Sequence, residues 1–344
     1  MDQFSQLRRD AHHGGWVLMC HQPEREQLLA IARQNWNFEE TNDALCNPET
    51  SGIHIIWQAS HKLPDGSEGK VRVIPNRFPL YRVEGSEDRV GMGMYDQMRG
   101  VGAHEIVIES ERHTDSLITM HPKHYALTLL AIQERLIDLR KDSRLRAFHA
   151  FREWTCGENE KHLHPHSQII ASAIIPLGSM TELDSARQYF EYKERCLFCD
   201  MIRQEINDKV RIVYQSKEYI AFCPFASRYP FEIHLFPRKH CCDFIREPQE
   251  QFKSLAMAIQ DIAARLEQAI PGWGLMMVLH TAPVFSTRRN ILRTIPLDYH
   301  WHLEFLPQPP GFIDWFSRSG AHVDCTLPEN AAEFLRDVEV TYAW

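Results

Sequence analysis

The sequence predicts an α+β protein made of two similar halves, each an antiparallel sheet packed with a long helix. A strand-like segment ending in histidine occurs twice, as HEIVIESERH at 104–113 and FEIHLFPRKH at 231–240. An amphipathic helical pattern follows each segment, about ten residues on. Each helix is followed in turn by a histidine pair leading into apolar residues: His164-Pro165-His166-Ser167-Gln168 and His300-Trp301-His302-Leu303-Glu304. Cysteines lie upstream in both halves, Cys46 in one and Cys196 with Cys199 in the other. Four motifs repeated in one order imply a duplicated unit, with halves at 1–180 and 181–344.

The elements follow from local patterns. Trp16-Val17-Leu18-Met19 and residues 53–57, Ile-His-Ile-Ile-Trp, are short apolar runs bounded by turn residues, so both read as strands. Val71-Arg72-Val73-Ile74 alternates before the turn signal Pro75-Asn76. Between 122 and 142 the period changes: Leu129, Ile132, Leu136 and Leu139 recur at three and four residues, which predicts a helix. Phe252, Leu255, Ile259, Ile262 and Leu266 form the same stripe over 248–268. A last helix is expected near 328–338, and no low-complexity tract interrupts the chain.

Bulk properties narrow the function. The 344 residues suit about two domains. Thirty-eight basic against 46 acidic side chains give a net charge of −8, which argues against a nucleic-acid footprint. No apolar run approaches the ~18 residues of a membrane span, and the opening MDQFSQLRRD carries no apolar leader. Nine irregularly spaced cysteines do not make a disulfide framework, so reduced thiols and a cytoplasmic location are expected.

Alternate residues of a strand share a face, so His164, His166 and Gln168 form one polar row if extended, as do His300, His302 and Glu304. Such rows are either solvent-facing edges or sites, because unpaired buried imidazoles are costly. Cys196, Cys199, His240 and His300 have the Cys₂His₂ composition that structural zinc favours; a metal-free pair of thiols is the alternative. The first half offers Cys46, His113 and His164, with Asp43 where a second cysteine is expected. Carboxylate oxygen also binds zinc, so Asp43 is a candidate fourth ligand. His166 is then the candidate nucleophile, since a neutral imidazole can carry a transferred group as a covalent intermediate. The Gln168 amide can hold a phosphoryl oxygen but cannot shuttle protons. A hydrogen-bonded core histidine is the competing reading of His166.

These residues resemble the histidine-triad superfamily and, within it, the galactose-1-phosphate uridylyltransferase family. CLFCDMIRQEI at 196–206 is similar to the start of small histidine-triad proteins, and HPHSQ at 164–168 to the transferase signature. RRDAHHGGWVL, VRVIPNRFP, YPFEIHLFP and YHWHLEFLP extend the likeness through nearly the whole chain. The resemblance implies a homodimeric enzyme acting on a nucleotide sugar and a sugar 1-phosphate. His166 would take the nucleoside monophosphate and Gln168 would hold its phosphate. It further implies nucleoside contacts at Asn76 and Phe78, a phosphate contact at Arg25, and a phosphate-side position at Glu153, where the family has asparagine. Some members bind iron, which would fall here on Glu182, His280, His300 and His302; the Cys196–Cys199 pair favours zinc. ADP-glucose phosphorylases share this architecture and are the alternative, as is a degenerate nucleotide-binding protein. The first-half DALC at 43–46, Gln22 in place of an arginine, and GFIDWFSRSGAH at 311–322 depart from the family pattern.

Overall fold

The computed structural model describes residues 5–9, 16–19, 45–46, 48–49, 52–63, 66–157, 164–284, 292–310, 322, 324–340 and 342. The first half runs β1 (Gln6–Arg9), β2 (Trp16–Met19), β3 (Trp57–Lys62), β4 (Glu68–Pro75), β5 (Val90–Met92), β6 (Tyr95–Arg99), β7 (Gly102–Ile108), helix α1 (Pro122–Leu139), β8 (Ala147–Thr155) and β9 (His166–Ser172). There follow α2 (Leu177–Lys193), α3 (Leu197–Asp208), β10 (Ile212–Gln215), β11 (Tyr219–Phe222), β12 (Ile233–Pro237), α4 (Phe252–Ala269), β13 (Gly274–His280), the short α5 (Ile295–Asp298), β14 (His302–Gln308) and α6 (Pro328–Asp337).

Ten strands form one antiparallel sheet in the order β10-β11-β12-β14-β13-β8-β9-β7-β4-β3. Read outward from its middle, where β8 pairs with β13, the two five-strand halves have the same order. Strands β2, β1, β6 and β5 make a separate four-stranded sheet. The duplication seen in the motifs is therefore a duplication of topology. It produces one continuous sheet rather than two.

Helices α1 and α4 cover the same face of that sheet and pack on each other. Pro122 opens α1, and His121 Nδ1 accepts the Lys123 amide, satisfying one of the orphan N–H groups of the first turn. The stripes Leu129, Ile132, Leu136, Leu139 and Phe252, Leu255, Ile259, Ile262, Leu266 are buried together in one core that takes residues from both halves. Two buried amides cross between the halves reciprocally. Gln133 on α1 donates to the carbonyls of Phe244 and Glu247 (3.2 and 2.8 Å), and Gln260 on α4 donates to those of Leu117 and Met120 (2.8 and 2.7 Å).

Two sequence expectations need correction, and two helices go unread. Residues 53–57 join a strand only at Trp57; the strand is the more polar WQASHK segment at the sheet edge. An edge strand with one neighbour needs no apolar residues on its open side, so the pattern misplaces it. Helix α4 starts at Phe252 rather than 248, since Pro248 leads into a 3-10 turn over 249–251. The pattern places no helix over 177–208, where α2 buries only Leu183 and Ala186 while α3 buries Phe198, Ile202 and Glu205 along one face. Among the described residues no helix is long and apolar enough to cross a membrane.

Candidate active site and metal centres

Strand β9 exposes His166 and Gln168 on the face away from the helices, while Ser167 and Ile169 turn into the protein. A carbonyl can only accept, so the 2.8 Å contact between His166 Nδ1 and the His164 carbonyl places the ring proton on Nδ1. Nε2 is left with its lone pair. Burial pushes the imidazole below its ordinary pKa of 6.5, outweighing the carbonyl that raises it, so the ring is neutral at pH 7. A partly exposed, neutral imidazole with a fixed tautomer is a competent nucleophile.

Gln168 Oε1 lies 2.8 Å from His104 Nε2 on the adjoining β7, a contact that pattern reasoning missed. His104 was legible only as the opening of a repeated segment; the β7–β9 register that sets it two residues from Ile106, the partner of Gln168, exists only in the fold. Asn76 follows β4 directly, and its Oδ1 accepts the Phe78 amide at 2.9 Å. Its Nδ2 lies 3.1 Å from His104 Nε2 and 3.4 Å from Nδ1. Asn76 is thus joined to Gln168 through His104. The Phe78 ring is 46% exposed, with the Arg77 guanidinium 5.6 Å from its centroid. Glu153 is exposed on β8; continuing the β8–β9 register two residues past Phe151 and Gln168 sets it across from His166. Arg25 and Asp43 lie outside the described residues.

The first half gathers Cys46, His113 and His164, with one ligand atom of each within 4.8 Å of the others. Cys46 Sγ is 3.4 Å from His164 Nδ1. The second half gathers Cys196, Cys199, His240 and His300 by the same measure, with Cys199 Sγ 3.3 Å from His240 Nδ1 and 3.7 Å from His300 Nδ1. A tetrahedral zinc with ordinary Zn–S and Zn–N bonds sets sulfur and nitrogen about 3.6 Å apart, so the donor spacing fits. His240 and His300 direct Nε2 at the carbonyls of Pro296 and Pro237 (3.0 and 2.9 Å), which leaves Nδ1 for a metal. The hydrogen bond from Cys196 to Cys199 holds the Cys199 thiol below its usual range and pushes Cys196 up.

The two centres share the contacts of their last histidine and of the histidine two residues on. His164 Nε2 meets the Ser110 carbonyl at 2.8 Å as His300 Nε2 meets that of Pro237. His302 Nδ1 meets the His300 carbonyl at 3.1 Å as His166 Nδ1 meets that of His164. His302 and Glu304 are therefore the counterparts of His166 and Gln168, in different surroundings. His302 is 2% exposed, and Glu304 accepts from Arg228 at 2.7 Å. A carboxylate locked to arginine leaves no place for a phosphate. The open member of the two pairs is the one in the first half.

Glu182, His280 and His302 form a third group, with His280 Nδ1 2.9 Å from Glu182 Oε2. Burial alone would raise the Glu182 pKa, but the His302 and His280 rings hold it low. His300 is not part of this group. The four-residue iron set expected from the sequence is corrected to three residues, because the backbone turns the His300 ring to the opposite side, among the cysteines. Glu232, His234 and Glu304 also come together, tied internally by Arg228.

Comparison with known proteins agrees with this architecture. Residues 182–306 match the family described as galactose-1-phosphate uridyl transferase, C-terminal domain. An ADP-glucose phosphorylase of Arabidopsis thaliana is 25% identical over 99% of this chain and 95% of its own length. A galactose-1-phosphate uridylyltransferase of Thermotoga maritima is 24% identical over 72% and 78%. The crystal structure of an Arabidopsis thaliana ADP-glucose phosphorylase with bound ADP-glucose shares the fold, with a TM-score of 0.73, 22% identity, and coverage of 97% of this chain and 99% of that one.

Proposed function

This chain is related to the galactose-1-phosphate uridylyltransferase family and its ADP-glucose phosphorylase relatives, and we propose that it is a nucleotidyltransferase working through a nucleotidyl-histidine at His166. The single observation that carries this is the Nε2 lone pair of His166, freed by the bond from Nδ1–H to the His164 carbonyl and set beside Gln168. His166 Nε2 attacks the α-phosphorus of a nucleotide sugar. The new N–P bond forms as the P–O bond to the sugar 1-phosphate breaks, and that phosphate leaves with the electron pair. A phosphate oxygen of a second sugar 1-phosphate then attacks the same phosphorus and returns the ring to its neutral state. Gln168 steadies the phosphoryl oxygens, and Asn76 and Phe78 flank the nucleoside. A phosphoramidate linkage suits exchange between two acceptors, as histidine is both nucleophile and leaving group.

The Arabidopsis thaliana ADP-glucose phosphorylase matches nearly the whole chain, which favours a second reading within the same chemistry: inorganic phosphate as acceptor and adenylyl as the group carried. Zinc is proposed at Cys196, Cys199, His240 and His300, where it would tie the two ends of the second half together. Cys46, His113 and His164 would hold a second ion with Asp43, fixing the strand that aims His166. The enzyme is proposed to be a cytoplasmic homodimer with two units dividing near residue 180; the repeated strand order supports the division.

Incubation with α-phosphate-labelled UDP-glucose or ADP-glucose, followed by denaturation, tests the reading. Base-stable, acid-labile label on wild type and none on His166→Ala is the expected result, and the base that labels names the nucleotide. Release of label by glucose 1-phosphate rather than by inorganic phosphate separates the two acceptors. Absence of label with both nucleotide sugars overturns the assignment.

A further inference from the structure

We propose that His104 is a positioning residue for nucleotidyl transfer, holding the Gln168 amide so that its N–H₂ end faces the phosphoryl oxygens. The inference rests on the function proposed above and adds a residue to it. It follows from two donors that cannot be turned round: the Leu80 backbone N–H, and Asn76 Nδ2, which is fixed as a donor by the Phe78 amide on Oδ1 and shares Nδ1 at 3.4 Å. The Leu80 backbone N–H points at His104 Nδ1 at 3.2 Å, and an amide N–H only donates, so Nδ1 must be the acceptor nitrogen. The ring proton is then on Nε2, which faces Gln168 at 2.8 Å. The Gln168 atom in that contact must accept, so it is the carbonyl oxygen, and the two N–H donors are left for the open side of the strand. Reversed, the glutamine would present its oxygen to an anion and repel it.

The surroundings keep this arrangement in one state. His104 is 7% exposed, and burial holds its pKa below the ordinary value, against the hydrogen bond with Gln168 that raises it. A neutral ring preserves the Leu80 contact that a proton on Nδ1 would abolish. The second half shows what the position becomes without the device. There the strand register sets Glu232 at the place of His104, and Glu304, the counterpart of Gln168, is claimed by Arg228 instead. Histidine at 104 thus goes with glutamine at 168 in the half that keeps an open site.

A buried histidine that only supports the fold is the competing explanation, and a double-mutant cycle separates the two. Single-turnover labelling of His166 from ADP-glucose and UDP-glucose is measured for wild type, His104→Ala, Gln168→Ala and the double variant. If His104 acts through Gln168, His104→Ala slows labelling by about ten- to a hundredfold in the wild-type background. It has less than about a twofold effect where Gln168 is already alanine, and the nucleotide-sugar KM barely moves. His104→Phe keeps the ring volume but has neither nitrogen; it covers the case in which the alanine variant fails to fold, and the same non-additivity is expected. Equal slowing in both backgrounds overturns the proposal while leaving the function intact. Failure of the wild type to label with either nucleotide sugar overturns both.

Discussion

At the residue scale, the polar groups behind the reacting strand are as constrained as those in front. Glu109 is fully buried and accepts from Ser167 Oγ at 2.5 Å and from Arg152 Nε at 3.1 Å, while the Arg152 guanidinium stacks 4.8 Å from the Trp154 ring centroid. Removing one partner of such a pair leaves a buried charge uncompensated, which costs about 3–5 kcal/mol. Urea unfolding of Arg152→Met is expected to show a loss of that size; a loss below about 1 kcal/mol would place the pair in the class of surface bridges. His124 gives a pH-dependent counterpart. Its Nε2–H donates to the Glu109 carbonyl at 2.7 Å. Burial drives its pKa below 6.5; that carbonyl, Asp115 and Glu109 oppose the shift, and His61 adds to it. The unfolded chain therefore takes up the proton first, so the stability His124 contributes is complete above about pH 6.5 and is lost as the pH falls toward the folded value. The stability advantage of wild type over His124→Gln should shrink by at most about 1.4 kcal/mol per pH unit between pH 7 and 5. An advantage that grows on acidification contradicts the sign.

At the scale of elements, close approach sets limits that composition does not reveal. Gly102 opens β7 opposite Ser172, and a Cβ there would run into the carbonyl of Ala171 and meet Tyr81 Cβ at 2.9 Å. Backbone cannot yield as a flexible side chain does, so Gly102→Ala should destabilise by about 2 kcal/mol or more. Thermal unfolding checks this, and an unchanged midpoint would mean that β7 tolerates a shift against β9. Legibility varied by element for a physical reason. Helices α1 and α4 press one face on the sheet and so carry a clean apolar stripe. Helix α2 lies with most of its surface in solvent, so its residues need no periodicity and the pattern is silent there.

At the scale of the whole molecule, the halves share a sheet, a core and the reciprocal amides of Gln133 and Gln260. Arg140 adds a bridge, pairing with Asp243 and donating to the Ala282 carbonyl at 2.8 Å. Such coupling predicts a single cooperative unfolding transition, with fluorescence and circular dichroism midpoints coinciding; two separated transitions would show the halves to be independent domains. Metal bound only by the folded chain stabilises it by mass action. Chelation is therefore expected to lower the midpoint by about 10 °C, and Cys199→Ser to reproduce much of that loss and to reduce the zinc content. Unchanged zinc content in that variant removes the second-half assignment.

The sequence by itself determined the duplication, the two core helices, the polar rows on β9 and β14, and the donor chemistry of both Cys–His groups. All of these are expressed in residue type and local period, and a period decides which way a side chain faces. Only the tertiary structure decided which residues across the fold meet: that His300 joins the cysteines and leaves Glu182 to His280 and His302, that β8 zips to β13, and that His104 reaches Gln168. Those contacts depend on the register between strands and on where the backbone turns a ring, and neither leaves a periodic trace in the chain.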